Sequence, residues 1–329
     1  MIKVIEPGIE ALVTDLGRFG YYDNGLPPDG PMDNFSFRVG NILLGNDENA
    51  AQIGCIFMAP TLEVVEDTHV VFTGAECDPL INGEVVPMWQ VHPVRKGDVI
   101  SQDVAKSGSR VYVCFSGGID TPLDYGSRST YLIAGVGGYK GRALQEGDVL
   151  KLFPSAMHRS KLQGRKLEGK YIPRFFNSYE LRVVPGGMVH EINNFDEFCE
   201  ITWTVSQYFG RTAYRLFSPG FEYSWARRAA GIPQPFGAGP DPGNAVLNIY
   251  PVGAIQINLG NEAIVLLQDA VSAGGYVIIG TIVGPDQDII GQGKMGDKIK
   301  FISVSEEQAL EAYRERARLL SEIRGIYLV

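Results

Sequence analysis

The stretch Asp269-Ala270-Val271-Ser272-Ala273-Gly274-Gly275-Tyr276-Val277 lies between two apolar runs, at residues 263–267 and 276–279. Short apolar runs next to glycine are typical of buried strands. The interval between them combines one carboxylate with two adjacent glycines, whose backbone a ligand can approach closely. This pattern predicts a bend between two strands. The bend is either an ordinary hairpin turn with a charged tip or a site for an anionic or carbonyl group.

The composition of the chain indicates a globular protein built from short elements. The chain has 329 residues, of which 45% are apolar and 20% charged, and this length predicts two domains. Its 40 glycines and 19 prolines favour turns and short strands. The formal net charge of −9 argues against a partner with a phosphate backbone, so no nucleic-acid partner is expected.

Three turns share a Gly-Asp core, and each precedes an apolar run. Such recurring turns predict barrel-like β domains, and hence a mainly β protein. A polar, basic segment at residues 153–178 is the best candidate for a linker or an exposed crossing. The predicted domains are therefore an N-terminal β domain over residues 1–160 and a C-terminal β-barrel domain over residues 175–329. The three turns are Lys96-Gly97-Asp98, Glu146-Gly147-Asp148 and Met295-Gly296-Asp297.

Several classes of protein are disfavoured by what the sequence lacks. No segment has the roughly 18 uncharged apolar residues needed to span a bilayer, and no signal core begins the chain, so a cytoplasmic protein without membrane contact is expected. The 4 cysteines and 4 histidines are scattered, without C-x-x-C or H-x-x-x-H spacing. Neither a disulfide framework nor a metal site is therefore predicted. Cys114, within an apolar run, is interpreted as a core residue rather than a nucleophile.

Two helices are predicted, one early and one at the end of the chain. Asp33 precedes apolar residues at helical spacing, so it is either the N-cap of a helix that ends before Gly45 or a ligand residue. Ser305-Glu306-Glu307-Gln308 has the form of a capping box, and Gly325 is expected to end the terminal helix. Between these helices, the Gly- and aromatic-rich stretch 217–248 is interpreted as a lid or a disordered loop.

A denser motif lies in the first half of the chain. Ser127-Arg128-Ser129-Thr130 places hydroxyl and guanidinium groups between the glycine pairs Gly117-Gly118 and Gly137-Gly138. Such a stretch suits the binding of an anion or a carboxylate through side-chain and backbone donors. Equally, it could be a long Gly-rich connection whose hydroxyls satisfy their own backbone. The segment Asp15-Leu16-Gly17-Arg18 adds a further acid and base.

Taken together, these motifs resemble the allophanate hydrolase subunit 2 family, which is also called the KipA family and includes the C subunit of 5-oxoprolinase. The same module forms part of the carboxyltransferase domain of urea carboxylase. The resemblance covers nearly the whole chain in order. It rests on Glu6-Pro7-Gly8, Asp15-Leu16-Gly17-Arg18-Phe19-Gly20, Gly30-Pro31-Met32-Asp33, Asn41-Ile42-Leu43-Leu44-Gly45-Asn46, Gly117-Gly118-Ile119-Asp120, Gly126-Ser127-Arg128-Ser129-Thr130, Gly141-Arg142, Gly253-Ala254-Ile255-Gln256, Asp269, Gly274-Gly275-Tyr276 and the Gln292 region.

The resemblance implies two cyclophilin-like β-barrel domains with a few helices, including the one at the C-terminus. It implies a subunit of a biotin-dependent carboxyltransferase or an ATP-dependent amidohydrolase complex acting on a urea, a lactam such as 5-oxoproline, or a related amide. The implied partner is a KipI-like (subunit 1) protein, with a biotin carrier, a biotin carboxylase or a LamB/YcsF-like subunit as further candidates. No cofactor is expected to be covalently bound in this chain, and ATP or carboxybiotin would come from partner subunits.

The resemblance, combined with the chemistry of such reactions, nominates site residues. The acceptor nitrogen must lose a proton, which needs a base such as Asp269 or Asp33. Negative charge on a carbonyl oxygen needs N–H donors, at Gly274-Gly275 or Gly117-Gly118. A substrate carboxylate needs a guanidinium fork. The candidates for this fork are Arg18, Arg128 and Arg211, and the other expected binding residues are Asp15, Ser127, Ser129, Gln256 and Tyr276.

The sequence also departs from the family's usual pattern. Gln52-Ile53-Gly54-Cys55 lacks the acidic residue usual there, Ser272-Ala273 replaces a pair of threonines, and Arg211-Thr212-Ala213 replaces Arg-Met-Gly. These changes point to a paralogue with a different amide or acceptor, or with reduced catalysis. Two alternatives therefore stay open: a regulatory protein that binds a KipI-like subunit without turnover, and a β-rich small-ligand-binding module.

Overall fold

The computed structural model describes residues 1–327, and within it the chain divides into two compact units. The first unit comprises Met1–Phe19, Asp29–Phe175 and the chain from Arg318 onward. The second comprises Gly20–Pro28 and Phe176–Ala317. The predicted domain ranges, 1–160 and 175–329, group residues 20–28 and the end of the terminal helix differently.

The first unit contains eleven short strands in two sheets. One sheet has the strand order β11-β1-β4-β9-β6-β7 and the other β2-β3-β10-β5-β8, and all of the pairings between these strands are antiparallel. Their bounds are β1 (Ile2–Glu6), β2 (Leu12–Thr14), β3 (Gln52–Ile56), β4 (Thr61–Val64), β5 (Thr68–Glu76), β6 (Pro79–Ile81), β7 (Glu84–Val85), β8 (His92–Val94), β9 (Val99–Gln102), β10 (Ser107–Phe115) and β11 (Val149–Leu150).

The core of this unit joins the two sheets. Val4 and Leu62 come from the first sheet, Phe72 and Val113 from the second, and all four are fully buried in one apolar cluster. Removing one such side chain from water stabilises the folded state by roughly 1.5–3 kcal/mol. Cys114 is also fully buried, as predicted. This double layer is the rigid support for the loops described below.

Helix α1 (Asn34–Leu43) packs against the second sheet through Phe37, Val39 and Ile42. Asp33 is its N-cap and accepts a hydrogen bond from the N–H of Ser36 at 2.9 Å, as the sequence predicts. The segment predicted as a linker contains a short helix, α2 (Arg159–Leu162), and a 3-10 turn (Gly169–Tyr171). Leu162 is buried in the apolar cluster between α1 and the second sheet.

The second unit is a closed seven-stranded barrel with the strand order β12-β19-β16-β17-β14-β13-β20. Strands β12 and β20 close the barrel as a parallel pair, whereas the other barrel pairings are antiparallel. A separate antiparallel ribbon is formed by β15 and β18. The strands are β12 (Ser178–Pro185), β13 (Trp203–Phe209), β14 (Ala213–Phe217), β15 (Asn244–Ile249), β16 (Ala254–Ile257), β17 (Glu262–Leu266), β18 (Ala273–Tyr276), β19 (Ile278–Ile282) and β20 (Lys298–Ser303).

Aromatic side chains fill part of this unit. Phe198 stacks on Phe301 with ring centroids 4.9 Å apart, and Trp203 meets Phe221 edge-on at 5.2 Å. Such pairs add roughly 0.5–1.5 kcal/mol each beyond their burial.

The helices of this unit are α3 (Phe195–Glu200), α4 (Ala226–Ala229) and α5 (Gly284–Gly291), with 3-10 turns at Tyr22–Asn24 and Val189–Glu191. The stretch predicted as a lid or disordered loop, 217–248, thus contains α4 and most of β15.

The three Gly-Asp turns have the same construction. Each aspartate accepts a hydrogen bond from the N–H three residues earlier, and a strand begins one residue later (β9, β11 and β20). The three distances are 2.7 Å (Arg95 N to Asp98), 2.8 Å (Gln145 N to Asp148) and 3.0 Å (Lys294 N to Asp297). The interpretation of these motifs as turns that feed strands is confirmed.

The terminal helix α6 (Glu306–Tyr327) begins with the predicted capping box. Ser305 N donates to the Gln308 side chain at 2.9 Å, and Gln308 N donates to Ser305 Oγ at 3.3 Å. The expectation that Gly325 ends the helix is wrong, because the helix runs on to Tyr327. The prediction of a mainly β protein that ends in a helix is confirmed. No helix within residues 1–327 has the length and apolarity that a bilayer crossing requires.

Candidate functional site

Asp15 lies immediately after β2 and is completely buried. One of its carboxylate oxygens accepts hydrogen bonds from Ser127 Oγ at 2.5 Å and Gly17 N at 2.9 Å, and the other accepts from Arg128 N at 2.6 Å. A carboxylate that accepts several hydrogen bonds is held firmly in position. Asp15 therefore fixes the backbone of the loop that carries Arg128, and its oxygens are turned to that loop.

Arg18 lies three residues further on and is 1% exposed. Its guanidinium donates to Asp29 at 2.8 Å and to the carbonyl oxygen of Ser129 at 2.5 Å. The Ser129 hydroxyl, in turn, lies 3.0 Å from Thr14 Oγ1 and accepts from Gly30 N at 3.2 Å. The structure thus brings together Asp15, Arg18, Ser127 and Ser129, four of the predicted binding residues, as a buried cluster that holds one loop.

The glycines around the loop that carries Arg128 allow the chain to pack closely. A Cβ on Gly137, whose φ is +71°, would lie 2.0 Å from the Ser129 carbonyl oxygen and 2.7 Å from the Arg18 guanidinium. The backbone N–H groups are also engaged, because Gly137 N donates to Asp124 and Gly138 N to the Arg128 carbonyl. For Gly137 and Gly138 the geometry agrees with the second sequence interpretation, a Gly-rich connection whose polar groups are satisfied within the fold.

The Gly117-Gly118 pair is engaged in the same way. Gly117 N donates to Asn46 Oδ1 at 2.8 Å, and Gly118 N donates to the Phe115 carbonyl at 3.0 Å. An N–H that already donates within the fold is a poor oxyanion donor. These two N–H groups therefore hold the end of β10.

Arg128 differs from the buried cluster that supports it. Its Nε donates to the Thr121 carbonyl at 2.8 Å, and its guanidinium lies over the Phe153 ring at 5.0 Å from the ring centroid. Neither of its terminal nitrogens makes a hydrogen bond within residues 1–327. The side chain is partly exposed. Arg128 is thus a pre-oriented guanidinium fork with two nitrogens available, the arrangement that suits a carboxylate.

Asp33, one of the two nominated bases, is 2% exposed at the start of α1. Both of its carboxylate oxygens accept hydrogen bonds from Ser36, from the backbone N–H at 2.9 Å and from the hydroxyl at 2.5 Å. This geometry is that of a helix cap. Its role as a base stays a prediction.

Asp269, the other nominated base, lies in the second unit and is 3% exposed. Arg211 binds it with two parallel hydrogen bonds, at 2.8 and 2.7 Å, and Asp269 N donates to the Arg211 carbonyl at 3.0 Å. The structure therefore brings together two predicted site residues, as a buried ion pair. This pair ties the chain after β17 to the start of β14.

The glycine pair of the opening stretch is not at the predicted bend. Gly274 and Gly275 lie inside β18, since the turn between β17 and β18 ends before Ala273. A Cβ on Gly274 would lie 2.7 Å from the ring of Tyr250, and the hydroxyl of Tyr250 accepts from Tyr276 N at 2.8 Å. Glycine is needed at position 274 so that an aromatic ring can pack on the ribbon. Gln256 lies in β16, on a strand of the barrel itself.

The cysteines are unsuited to nucleophilic chemistry. Burial raises the pKa of Cys77 to about 12 and that of Cys199 to about 11, and it raises the pKa of Cys55 and Cys114 still further. At neutral pH all four are therefore thiols rather than thiolates. Within residues 1–327 no three His, Cys, Asp or Glu side chains form a group that could hold a metal ion.

Residues 24–303 match the family described as "Carboxyltransferase domain, subdomain A and B". The chain belongs to this carboxyltransferase family. The C subunit of the 5-oxoprolinase of Escherichia coli is 29% identical over 326 residues, which cover 98% of this chain and 97% of that protein. The "Urea amidolyase" of Saccharomyces cerevisiae is 31% identical over 316 residues, which cover 94% of this chain.

This chain spans only 17% of the length of the yeast protein. The crystal structure of the K. lactis urea amidolyase superposes with a TM-score of 0.90 at 28% identity, over 98% of this chain and 20% of that one. The relatives thus carry this module either as a separate subunit or as one part of a much longer chain. The resemblance inferred from the sequence motifs is confirmed at the level of the family.

Two residues that contact the buried cluster or Arg128 were not nominated from the sequence. Asp29, which balances Arg18, stands in Pro28-Asp29-Gly30, a composition typical of an ordinary turn. Phe153, which lies under Arg128, is in the segment interpreted as a linker. Neither contact follows from local sequence, because both join residues distant in the chain.

Proposed function

We propose that this chain is a subunit of a carboxyltransferase-type or ATP-dependent amidohydrolase complex acting on a urea, a lactam such as 5-oxoproline, or a related amide. The family membership supports the reaction class, and the names of the relatives supply the two branches. The observation that carries the proposal at the level of residues is Arg128. Its orientation by Thr121 and Phe153, with both terminal nitrogens unbonded within residues 1–327, makes it the receptor for a carboxylate.

The buried cluster beneath Arg128 gives this fork its precision. Asp15 bonds the backbone N–H of Arg128 itself, and Arg18 bonds the carbonyl of the next residue, Ser129. A binding group works best when the residues behind it are held in place before the substrate arrives. Asp15, Arg18, Ser127 and Ser129 are therefore assigned a positioning role, and Arg128 the direct contact.

Carboxybiotin or ATP would come from partner subunits, a KipI-like protein foremost among them. Carboxybiotin, when bound, would supply the carboxyl group for transfer. The donor set of Arg128 fits that carboxylate as well as it fits the carboxylate of a lactam acid such as 5-oxoproline. In either branch Arg128 binds and orients the anionic group.

The test uses the chain co-expressed with its KipI-like partner and the remaining subunits. Arg128→Lys keeps the positive charge but removes the fork, so we expect the KM for the carboxylate-bearing substrate to rise about 10- to 100-fold, since hydrogen bonds to charged groups contribute about 1.5–3 kcal/mol. The readout is ATP-dependent release of glutamate from 5-oxoproline, the substrate that bears the carboxylate. Arg174→Lys, at an exposed position, is the matched control. An unchanged KM in Arg128→Lys would overturn the assignment.

One observation favours a second candidate, a regulatory protein that binds a KipI-like subunit without turnover. Both nominated bases are engaged, Asp269 by Arg211 and Asp33 by Ser36. A base needs a lone pair directed at the substrate proton. If the assembled wild-type complex is tight but shows no turnover on 5-oxoproline, urea or related lactams, the regulatory function is the correct one. Full turnover by Asp269→Asn in an active complex would exclude Asp269 as the base.

A further inference from the structure

The reaction proposed for this chain needs a base, and both nominated aspartates are already engaged. Asp33 accepts hydrogen bonds from Ser36 on both of its oxygens, and Asp269 accepts from Arg211 on both. A base acts through a lone pair directed at the proton that it removes. A carboxylate close to Arg128 that makes no such bonds would meet this need better.

Asp120 lies on a short antiparallel ribbon in the first unit. The ribbon consists of the segments on either side of the bridge between Ile119 and Leu152. Asp120 N donates to the Lys151 carbonyl at 2.9 Å, which fixes the register of the two segments. Because this backbone bond holds the residue in place, the Asp120 side chain projects from a defined point of the fold.

Side chains alternate between the two faces of this ribbon. Ile119 is fully buried on one face, whereas Asp120, Lys151 and Phe153 are exposed. Since successive side chains of a strand point to opposite faces, these three share the outer face. The ring of Phe153 is the one beneath the Arg128 guanidinium. The outer face therefore carries both the carboxylate of Asp120 and the ring that supports Arg128.

A second contact places Arg128 next to Asp120. Arg128 Nε donates at 2.8 Å to the carbonyl of Thr121, the residue that follows Asp120. Within residues 1–327, however, the Asp120 carboxylate and the Arg128 guanidinium form no ion pair. Two opposite charges that are neighbours without being bonded leave space for a ligand that contacts both.

The Asp120 carboxylate makes neither a hydrogen bond nor an ion pair with any residue that the structure describes. The other carboxylates of these loops are engaged. Asp15 accepts from Ser127 and from two backbone N–H groups, and Asp124 accepts from Gly137 N. Asp120 thus keeps its lone pairs for a proton of the substrate.

We propose that Asp120 is the general base of the proposed reaction and that Arg128 holds the substrate carboxylate beside it. The nucleophile is a urea N–H in carboxyl transfer or a water O–H in amide hydrolysis. Its proton moves to an oxygen of Asp120, which becomes a neutral carboxylic acid, and the bonding electron pair stays on the attacking nitrogen or oxygen. This inference rests on the proposed function, because Arg128 must first bind the substrate.

The test uses the same assembled complex, with 5-oxoproline as the substrate. Asp120→Asn keeps the shape of the side chain but removes the basic oxygen, so kcat should fall about 100- to 10,000-fold while KM changes less than about threefold. Asp103→Asn, at another exposed aspartate of the first unit, makes the same change of charge and should leave kcat unchanged. Melting temperatures equal to wild type would show that both variants are folded.

Chemical rescue separates a base from a structural residue. In Asp120→Ala, added sodium formate should restore part of the lost kcat, because a small carboxylate can enter the space of the missing one. Formate should not change kcat in Asp103→Asn. A fall in kcat that formate does not restore would contradict the proposal.

The outcomes distinguish this inference from the function on which it rests. Full kcat in Asp120→Asn, within an active wild-type complex, would overturn the base assignment and leave the role of Arg128 intact. A higher KM at unchanged kcat would make Asp120 a binding residue and also overturn the assignment. A wild-type complex without turnover would overturn the proposed function together with this inference.

Discussion

Arg18–Asp29 in the first unit and Arg211–Asp269 in the second are buried ion pairs with different uses. Arg18 and Asp29 in the first unit are fully buried in their side chains and are joined by one 2.8 Å hydrogen bond. Arg211 and Asp269 in the second unit are almost as buried and are joined by two. By the number of bonds alone, the second pair is the stronger one.

The first pair also supports a binding group. Arg18 binds the Ser129 carbonyl as well as Asp29, and so becomes part of the cluster that fixes the loop of Arg128. Arg211 binds Asp269 through its Nε and one terminal nitrogen, and this bond joins two segments of the second unit. A buried ion pair adds little net stability, but removing one partner destabilises the protein because the other charge stays buried. The contrast teaches that similar residues at similar burial can either support a binding group or hold two segments together.

Replacing the arginine of each pair should have the largest effects on the free energy of unfolding. Arg18→Met should lower the free energy of unfolding by about 5 kcal/mol, because Asp29 loses its ion-pair partner and the Ser129 carbonyl loses its donor. Arg211→Met should cost about 3–4 kcal/mol. Urea denaturation followed by tryptophan fluorescence measures both. A larger loss in Arg211→Met would contradict the ranking.

The glycines next to the two regions allow a finer comparison. Gly137→Ala should cost about 2–3 kcal/mol, because its φ is positive and the new Cβ meets backbone and the Arg18 guanidinium. Gly274→Ala should cost about 1–2 kcal/mol, because the atoms nearest its Cβ belong to the side chain of Tyr250, which can shift. Thermal unfolding of the two variants provides the measurement. Equal losses would mean that the atoms around Gly137 shift as readily as the ring of Tyr250, and would contradict this comparison.

A smaller effect depends on pH. The hydrogen bonds from Arg142 to Asp148 hold the pKa of that carboxyl below its ordinary value. A lowered pKa in the folded state stabilises the fold above the unfolded pKa, and this contribution is lost as the pH falls through the folded pKa. Asp148→Asn should therefore cost about 1 kcal/mol at pH 7 and progressively less below about pH 4. A loss of stability that is constant from pH 7 to pH 3 would show that the charge of Asp148 is not its cause.

Much of the local structure was predictable. The Gly-Asp turns, the cap at Asp33 and the box at Ser305 each depend on groups three residues apart, which the sequence displays directly. The place of Gly274 was predicted wrongly, because glycines occur both in turns and at points where another group approaches a strand closely. Only the position of Tyr250, 24 residues earlier in the chain, distinguishes these two cases.

For the candidate site, the sequence alone identified the family through the order of its motifs. It nominated Asp15, Arg18, Ser127, Arg128 and Ser129 within a longer set that also held Asp33, Arg211, Gln256, Asp269 and Gly274-Gly275-Tyr276. Tertiary structure alone decided that the first five lie together and that Arg128 faces outward. Hydrogen bonds formed across more than a hundred residues engage Asp15, Arg18, Ser127 and Ser129 with one another and with the loop. Because these contacts are non-local, residue type and spacing cannot reveal that Arg128 keeps two donors for a ligand.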